Sequence, residues 1–477
     1  MFSHNLLRSV SSAVCKKCEG LVPKFEAIFG NEYVKTTESF RDHYGHDEGH
    51  FPNRPPDIVL MPGTVQEVSA AIRLCNEQRI PVIPYGTGTG LEGGVTAFKG
   101  GVCLDLKRMD QMTQLNEEDF DCVVQPGVTR KMLNEMLKNT GLWFTVDPGA
   151  DASICGMIAT QASGTCSVRY GTMKSNVKNL EVVLADGTIL YTRGKNRRPW
   201  KSSAGYNLTD LFIGSEGTLG VITSACVNVH PRPPALSAAV CSFPDVARAV
   251  ETVVNIRHMA LPIARIEFLD EKQMQACIAH SKLNMEEKPT LFMEFHGANE
   301  RDVEEQTALA EELCILNQGI RFEAATDTVG MNQLWQARHM AYYATMSQRK
   351  GARGFTTDVC VPLSQLPKVV TETRKDIDAS GMYGTIVGHV GEGNFHCIFP
   401  VVEEDEKEMQ IIWGLSDRLV KRALAVGGTC TGEHGIGLGK INYLKEELGE
   451  EGVHLMKLLK KTLDPNNILN PGKVLSE

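Results

Sequence analysis

The sequence lacks long apolar runs and basic tracts, and each absence argues against one class of protein. No stretch reaches the roughly 18 consecutive apolar residues of a membrane-spanning helix, so no transmembrane segment is predicted. Lys and Arg number 49 against 58 Asp and Glu, a formal net charge of −9. Such an acidic chain without a basic tract argues against nucleic acid as a partner. At roughly 100–200 residues per domain, the 477 residues predict two or three globular domains.

The 14 cysteines do not indicate a disulfide framework, because they are scattered along the chain at irregular spacing. Cysteines of this kind are usually small buried apolar side chains in a reducing compartment. The one close pair, Cys15 and Cys18, is compatible with zinc or redox chemistry. A single CxxC without a second pair is a weak signal, and we interpret both residues as structural.

The N-terminal segment differs in composition from the rest of the chain. It contains several serines and the cations Arg8, Lys16 and Lys17, and no acidic residue precedes Glu19. An ordinary surface helix would explain the segment as well, but this composition is typical of mitochondrial targeting peptides. We therefore predict that residues 1–25 are a targeting segment. Apolar residues recur there every four positions, which predicts one apolar stripe on a basic helix: Phe2, Leu6, Val10 and Val14.

Residues 57–135 read as alternating short apolar strands and helices. Thr64 and Glu67 form a capping box that opens a helix, and Thr129 is the predicted N-cap of another. The proline cluster at residues 230–235 breaks the pattern and is the best domain boundary. Strand and helix patterns alternate again beyond it, which predicts an α+β second domain with a sheet covered by helices.

A glycine-rich loop at residues 84–94 contains the GxGxxG spacing of a dinucleotide-binding fingerprint. That fingerprint requires a helix to begin at the loop, so that its N-terminus meets the pyrophosphate. Here the chain runs through further glycines into another strand, so an NAD-linked Rossmann dehydrogenase is not supported. A nest of backbone N–H groups beside the Thr87 and Thr89 hydroxyls would hold phosphate instead. The alternative, a flexible glycine turn, is disfavoured by the number of glycines in so short a stretch.

Six segments in this order carry a family resemblance: PYGTGTGLEGG (84–94), DPGADASICGMIATQASGT (147–165), SAGYNLTDLFIGSEGTLGVIT (203–223), TTDVCVP (356–362), GHVGEGNFHCI (388–398) and GGTCTGEHGIGLGK (427–440). They resemble the vanillyl-alcohol oxidase and p-cresol methylhydroxylase superfamily, and within it the FAD-binding oxidoreductases of type 4. The resemblance extends over nearly the whole chain.

The resemblance implies an α+β fold: a two-subdomain FAD-binding domain of the p-cresol methylhydroxylase type and a substrate domain with an antiparallel sheet. The FAD-binding domain would span residues 26–234, the substrate or cap domain 235–430, and a C-terminal segment, 431–477, would return to the FAD side. The glycine loop contains no His or Cys that could attach flavin, so we predict non-covalent FAD. The implied FAD contacts are Pro84, Tyr85, Gly86, Thr87, Gly88, Thr89, Pro148, Gly149, Asp151, Ala152, Ser153, Gly156, Ala162, Ser163, Gly164, Glu216, Gly217, Ile222 and Asn470.

Two histidines, His389 and His396, are candidate metal ligands. If residues 391–394 form a hairpin loop, these histidines pair directly on one face, about 5 Å apart at Cβ. Spacing alone does not make HxxxxxxH specific. The resemblance implies that both, together with Glu433, bind one divalent ion, and N/O ligands suit Zn²⁺ or Mn²⁺. A rival cluster carries no family role and reads as a solvated turn: His43, His46 and His50.

The remaining catalytic roles follow from the resemblance. His434 is the implied general base that removes the hydroxyl proton of a 2-hydroxy acid, while the hydrogen on C2 passes to flavin N5 as hydride. Arg338 is the implied receptor of the substrate carboxylate, with Tyr342 one helical turn away and Arg353 as a second candidate.

Ile398 is the expected determinant of substrate choice, two positions after His396. Relatives that oxidise a dicarboxylate have an amide there, and an apolar wall would leave a buried second carboxylate unpaired. Within the reaction that the resemblance implies, the predicted substrate is therefore D-lactate or another small apolar D-2-hydroxy acid, oxidised to the 2-oxo acid, and the D configuration comes from the resemblance alone. Oxidation of D-2-hydroxyglutarate is the alternative, and a non-catalytic flavin-binding protein is a second one. The resemblance implies cytochrome c as the electron acceptor, with a quinone or an electron-transfer flavoprotein as alternatives, and the mitochondrion is the expected location.

Overall fold

The computed structural model describes residues 15–402 and 405–476. The targeting stripe at positions 2, 6, 10 and 14 therefore lies outside the described residues. The described chain contains these helices: α1 (Lys16–Glu19), α2 (Val22–Phe29), α3 (Glu38–Asp42), α4 (Val65–Glu77), α5 (Arg130–Met136), α6 (Ile154–Thr160), α7 (Ser167–Tyr170), α8 (Met173–Asn176), α9 (Leu208–Phe212), α10 (Val246–His258), α11 (Glu271–Ser281), α12 (Glu300–Leu316), α13 (Thr328–Ser347), α14 (Leu366–Ser380), α15 (Glu406–Ala425) and α16 (Leu444–Leu463).

Strands alternate with these helices and form four sheets. The strands are β1 (Val34–Lys35), β2 (Ile58–Leu60), β3 (Val82–Tyr85), β4 (Val102–Asp105), β5 (Met112–Asn116), β6 (Asp121–Val124), β7 (Leu142–Trp143), β8 (Val177–Val183), β9 (Ile189–Tyr191), β10 (Val221–Asn228), β11 (His230–Pro231), β12 (Ala235–Ser242), β13 (Ile263–Leu269), β14 (Thr290–Gly297), β15 (Arg321–Ala325), β16 (Arg353–Thr356), β17 (Val359–Cys360), β18 (Thr385–Gly388) and β19 (Asn394–Val401).

The first sheet has the order β1-β2-β4-β3 and is parallel except at β1. The predicted capping box is present, because the Thr64 hydroxyl accepts a hydrogen bond from the Glu67 backbone N–H and the Glu67 carboxylate accepts one from the Thr64 backbone N–H. Helix α4 buries Val68 and Ile72 in a core shared with β2, β3 and β4. The glycine loop leaves β3 and reaches β4 without a helix, as the sequence predicts.

The second sheet is antiparallel, in the order β5-β6-β10-β8-β9. Its β8–β9 hairpin closes around Asp186 and Gly187, where the sequence predicts a turn. Gly187 has a φ of +83°, which glycine adopts without strain. Helix α6 packs on this sheet with Ile154 and Ile158 buried.

The third large sheet is antiparallel and has the order β15-β12-β14-β13-β18-β19-β16, with β17 paired to β19. Helices α10, α12 and α14 cover one apolar side, and α11 and α13 cover another apolar cluster. The expected α+β fold with an antiparallel sheet in the second half of the chain is confirmed. Beyond it, the backbone of Asn470 donates to Val82 and Val82 donates to Ile468, so the end of the chain joins the β3 edge.

The N-terminal helices belong to the first core. Cys18, Leu21 and Phe25 are buried, and Phe25 is completely inaccessible to solvent in the cluster that also holds Val68 and Ile72. The folded core thus extends into the segment that the sequence assigns to targeting, residues 1–25. In the described part of the chain, no helix combines the length and the apolar character needed to cross a bilayer.

Candidate active site

Three side chains from two distant parts of the chain converge on one point. Oε1 of Glu433 lies 3.2 Å from Nε2 of His389 and 3.1 Å from Nε2 of His396. All three residues are nearly inaccessible to solvent. The second carboxylate oxygen of Glu433 accepts a hydrogen bond from the Ser163 hydroxyl at 2.6 Å. The structure therefore brings together the predicted metal ligands and connects them to a predicted FAD contact.

The histidines meet in a different way from the predicted hairpin. In the β18–β19 pair, Val387 and not His389 lies opposite His396. His389 has left the strand, and residues Val390–Glu392 form a 3₁₀ turn that ends at Gly393 with a φ of +87°. Direct cross-strand pairing was therefore a wrong prediction, although the ring centroids still lie 5.7 Å apart. The two rings are therefore brought together by the turn after β18 and not by pairing across the strands.

The donor geometry fits a bound cation. Glu267 accepts from Nδ1 of His389 at 2.8 Å, and the Thr357 carbonyl accepts from Nδ1 of His396 at 3.2 Å. These bonds place the ring protons on Nδ1, so both Nε2 lone pairs face the Glu433 carboxylate. Three acceptors within 4.8 Å of one another repel unless positive charge lies among them. A metal ion held by His389, His396 and Glu433 would supply that charge, and each imidazole already has the outer hydrogen bond typical of metal sites.

Neighbouring charges shift the pKa values of His389 and Glu433. Although burial opposes protonation, Glu267 and Glu433 raise the pKa of His389 well above its usual range, so that without a bound cation a proton takes the place of the metal ion on Nε2. Burial alone would raise the pKa of Glu433, but His389 and His396 lower it well below its usual value. The carboxylate is thus ionised and available as a ligand.

Glu267 connects the metal cluster to Arg338. Its other oxygen accepts from Nε and Nη2 of Arg338, both at 2.8 Å. Arg338 comes from α13 and Glu267 from β13, and Glu267 is fully buried. Arg338, the predicted carboxylate receptor, is therefore held by an ion pair with Glu267. Its remaining nitrogen, Nη1, donates no hydrogen bond to the described residues. Sequence reasoning missed Glu267; its signal was a lone acid inside an apolar strand.

Asp358 organises the loop that carries Glu433 and His434. One of its oxygens accepts from the backbone N–H of Gly432, Glu433 and His434, at 2.7, 2.9 and 3.0 Å. Burial would raise the pKa of this carboxyl, but His434 and Lys440 hold it below its usual range. Sequence reasoning missed Asp358 too, which stands between Thr357 and Val359 in the TTDVCVP segment.

His434 stacks on His396, with ring centroids 4.8 Å apart and planes 8° from parallel. Burial lowers the pKa of His434 to about 4, so its imidazole is neutral at neutral pH. Nδ1 is buried and has no hydrogen-bond partner among the described residues. A neutral imidazole with a vacant nitrogen beside the cluster is what a general base requires.

The glycine loop meets the start of α6 and forms a cradle. A Cβ on Gly86 would lie 2.3 Å from the Ser153 hydroxyl, and one on Gly156 would lie 2.7 Å from it. Thr87 accepts from the Ser153 backbone at 3.4 Å, and the Thr87 and Thr89 hydroxyls are 3.2 Å apart. The Ser153 hydroxyl is buried without a partner among the described residues. Only glycine fits this approach, and the orphaned hydroxyl suits the polar phosphates of FAD.

Several other predicted FAD contacts have structural roles. Asn470 donates to the carbonyls of Gly94 and Glu216, and the Glu216 carboxylate accepts from the backbone of Ile436 and Gly437. These bonds tie the glycine loop to the C-terminal segment. The other predicted contacts lie on β3 and in its loop, around α6, and at or near β10: Pro84, Tyr85, Gly88, Pro148, Gly149, Asp151, Ala152, Ala162, Gly164, Gly217 and Ile222.

Three predicted substrate-site residues lie on α13, β16 and β19. Tyr342 is packed so closely on Gly354 that a Cβ there would lie 2.5 Å from the Tyr342 hydroxyl. Arg353 donates to the Gly49 carbonyl at 3.1 Å. Ile398 is only 4% exposed, lies on the same face of β19 as His396, and packs in the apolar cluster under α13.

The rival histidine cluster is not a solvated turn throughout. His50 is stacked on Phe355, with ring centroids 4.0 Å apart, and contacts Trp413. Burial lowers the pKa of His50 to about 3. His50 is therefore a packing residue between the N-terminal part and the third sheet.

Substituting Glu267 by Gln is expected to weaken divalent metal binding about 10- to 100-fold, because the amide cannot balance His389 and Arg338 together. Titration of metal-stripped protein with Zn²⁺ measures this effect. Glu294→Gln is the matched control, since Glu294 is a buried acid bonded to His296 and Arg265 in a separate cluster. Equal metal affinities for wild type and Glu267→Gln would show that Glu267 is only a packing residue.

Comparison with known proteins gives the family. The FAD binding domain model matches residues 56–193, and the model for the C-terminal domain of FAD linked oxidases matches residues 232–474. A Danio rerio protein named "Probable D-lactate dehydrogenase, mitochondrial" is 53% identical over 97% of this chain and 93% of its own length. The mitochondrial "D-lactate dehydrogenase (cytochrome)" of Arabidopsis thaliana is 42% identical over 90% of this chain and 77% of its own.

Solved structures agree on the fold. p-Cresol methylhydroxylase with substrate bound superposes with a TM-score of 0.81 at 18% identity, covering 97% of both chains. The 4-ethylphenol oxidase of Gulosibacter chungangensis has a TM-score of 0.79 at 20% identity, covering 97% of this chain and 98% of that one. The predicted p-cresol methylhydroxylase type of fold is confirmed. The chain belongs to the FAD-linked oxidases, in the family that includes the mitochondrial D-lactate dehydrogenases.

Proposed function

We propose that this protein is a mitochondrial dehydrogenase that uses FAD to oxidise D-lactate, and other small apolar D-2-hydroxy acids, to the 2-oxo acid. The observation that carries the proposal is the convergence of His389, His396 and Glu433 beside a neutral, buried His434. Relatives named as mitochondrial D-lactate dehydrogenases span nearly the whole chain and support the substrate and the location.

His434 takes the hydroxyl proton in the proposed reaction. Its imidazole is unprotonated at neutral pH and its Nδ1 makes no hydrogen bond to the described residues. The hydrogen bond that Asp358 accepts from the His434 backbone N–H fixes the position of His434. A fixed base close to the substrate hydroxyl lowers the barrier to proton transfer.

Arg338 is the proposed receptor of the substrate carboxylate. Glu267 holds the Nε and Nη2 side of the guanidinium, so the planar fork is oriented before substrate binds. Tyr342 and Arg353 are further candidates, from the same helix and from the adjoining strand. Because Glu267 also orients His389, the substrate receptor and a metal ligand share one anchor.

The bound groups supply the remaining chemistry. A divalent ion, Zn²⁺ or Mn²⁺, held by the two histidines and Glu433 would lower the pKa of the substrate hydroxyl. FAD supplies an acceptor for the C2 hydrogen with its electron pair. Reoxidation by cytochrome c is the proposed second half-reaction, since several relatives carry "cytochrome" in their names.

Ile398 supports a monocarboxylate substrate. It is buried in an apolar cluster two residues from His396 on the same strand face, so a second substrate carboxylate there would have no partner. We expect kcat/KM for D-lactate to exceed that for D-2-hydroxyglutarate by at least about tenfold, the effect of 1.4 kcal/mol. Steady-state rates with a dye acceptor measure the ratio, and faster use of the dicarboxylate would overturn the assignment.

Non-covalent FAD is part of the proposal, because residues 85–94 contain no His or Cys. Heating the protein in acid is expected to release all of the flavin into the supernatant. Absorbance of the supernatant and the washed precipitate measures the partition. Flavin that stays on the precipitate would show a covalent bond.

The activity itself is tested by turnover of D- and L-lactate with a dye acceptor, then with cytochrome c. D-lactate is expected to reduce both acceptors, and L-lactate neither. No turnover of D-lactate with the dye would refute the proposed substrate. Turnover with the dye alone would refute only cytochrome c as acceptor.

A further inference from the structure

Two cysteines and one carboxylate form a second cluster, far from the active site in the fold. Cys15 is the N-cap of α1, Cys18 lies within that helix, and Asp57 directly precedes β2. One ligand atom from each lies within 4.8 Å of the other two. This cluster shares no residue with the proposed catalytic site of His389, His396 and Glu433.

The two cysteines are not equivalent, which argues against a purely structural role for both. Cys18 is buried in the first core, whereas Cys15 is exposed to solvent. An exposed thiol contributes little to core packing, so Cys15 is not the buried apolar side chain that scattered cysteines usually are. The pair has one sulfur inside and one at the surface, which leaves the cluster accessible to an ion.

The chain is folded around Asp57 so that the three donors stay together. The Cys15 backbone donates to one Asp57 oxygen at 2.9 Å, and the Gly101 backbone donates to the other at 2.7 Å. The Cys18 thiol donates to Asp57 at 3.6 Å, and the Cys18 backbone donates to the Cys15 sulfur at 3.4 Å. Every donor is thus held in place by a bond to another member or to the neighbouring strand.

The electrostatics of the cluster favour a cation. Two sulfurs and a carboxylate repel one another as anions, and a bound divalent ion removes that repulsion while deprotonating the thiols. Thiolates select soft or borderline ions, and Cys₂Asp with one water completes the tetrahedron that zinc prefers.

We propose that Cys15, Cys18 and Asp57 bind a zinc ion that ties the N-terminal helices to the first sheet, which requires that any removal of a targeting peptide ends before Cys15. The site joins α1 to the start of β2 and, through Gly101, to β4. The glycine loop connects β3 to β4 in the same sheet, so the zinc ion stabilises the scaffold of the FAD cradle without touching the substrate.

Metal content and thiol protection test the proposal on the full-length protein. After chelation and reloading with Zn²⁺, wild type is expected to bind one more zinc ion than Cys15→Ser. Zn²⁺ is also expected to protect Cys15 from alkylation at least about tenfold, as read by peptide mass spectrometry. Cys15→Ser should keep wild-type activity, because this exposed side chain lies outside the active site.

Glu433→Ala separates the two sites. It is expected to lose the catalytic ion while Zn²⁺ still protects Cys15. The proposal is overturned if Zn²⁺ leaves Cys15 alkylation unchanged, if Cys15→Ser binds as much zinc as wild type, or if the two cysteines form a disulfide that persists in reductant. Because Cys15 is exposed, its substitution does not endanger folding. Asp57→Asn provides a second variant, expected to weaken the protection.

Discussion

His434→Ala is expected to slow reduction of the flavin by D-lactate about 10²- to 10⁴-fold, the contribution of a positioned general base. The reason is the neutral imidazole beside the cluster, whose pKa is lowered to about 4 by burial and whose Nδ1 has no partner among the described residues. FAD content and metal content should stay at wild-type levels. Stopped-flow absorbance of the flavin measures the rate in a single turnover.

His258→Ala is the control for this experiment, since His258 is exposed at the end of α10. It should reduce flavin at the wild-type rate. Added imidazole should restore part of the lost rate to His434→Ala, because the removed ring leaves room beside His396. Near-normal reduction in His434→Ala without imidazole would refute the role of base.

Glu433→Ala is expected to reduce activity with D-lactate at least as much as His434→Ala does, because the variant loses the metal ion. The variant removes the oxygen that faces Nε2 of both His389 and His396, so a tight three-residue site becomes a weak two-residue one. Activity should fall about a thousandfold or more, because metal activation of a hydroxyl contributes several kcal/mol. Elemental analysis should show one ion fewer than in wild type.

Glu451→Ala is the matched control, since Glu451 is an exposed acid on α16. It should keep both metal and activity. A chelator that removes the ion from wild type should reproduce the loss, and Zn²⁺ or Mn²⁺ should reverse it in wild type only. Full activity of metal-free wild-type protein would contradict the assignment.

Features that depend on interactions between residues close in the sequence could be predicted from the sequence. The Thr64 capping box needs only four residues, and the absence of a helix after the glycine loop follows from the glycines themselves. The predicted alternation of strands and helices beyond the proline cluster is carried by short apolar runs such as β13, β14 and β18. Each of these predictions depends on neighbours within a few positions.

Features that depend on long-range packing could not be predicted. Glu267 lies 122 positions from His389, and Asp358 lies 76 from His434, so no spacing rule connects them. The hairpin prediction failed because Gly393 allows a tight 3₁₀ turn that removes His389 from the strand register. The interior strand β12 and the edge strand β15 have little apolar pattern, because β12 is rich in alanine and serine and β15 contains charged residues, so the sequence does not mark them as strands.

The resemblance implies the roles of Glu433 and Arg338, and the structure adds their geometry. Glu433 lies between the Nε2 atoms of two imidazoles. Arg338 is held by the same Glu267 that accepts a hydrogen bond from His389.

Anaerobic mixing of the purified protein with D-lactate tests the central claim most directly. The 450 nm region of the flavin spectrum should bleach within seconds, with pyruvate formed in equal amount to FAD, about the pace of ordinary enzymes. L-lactate should leave the flavin oxidised. A flavin that stays oxidised in the presence of D-lactate, with metal and FAD bound, would contradict the account.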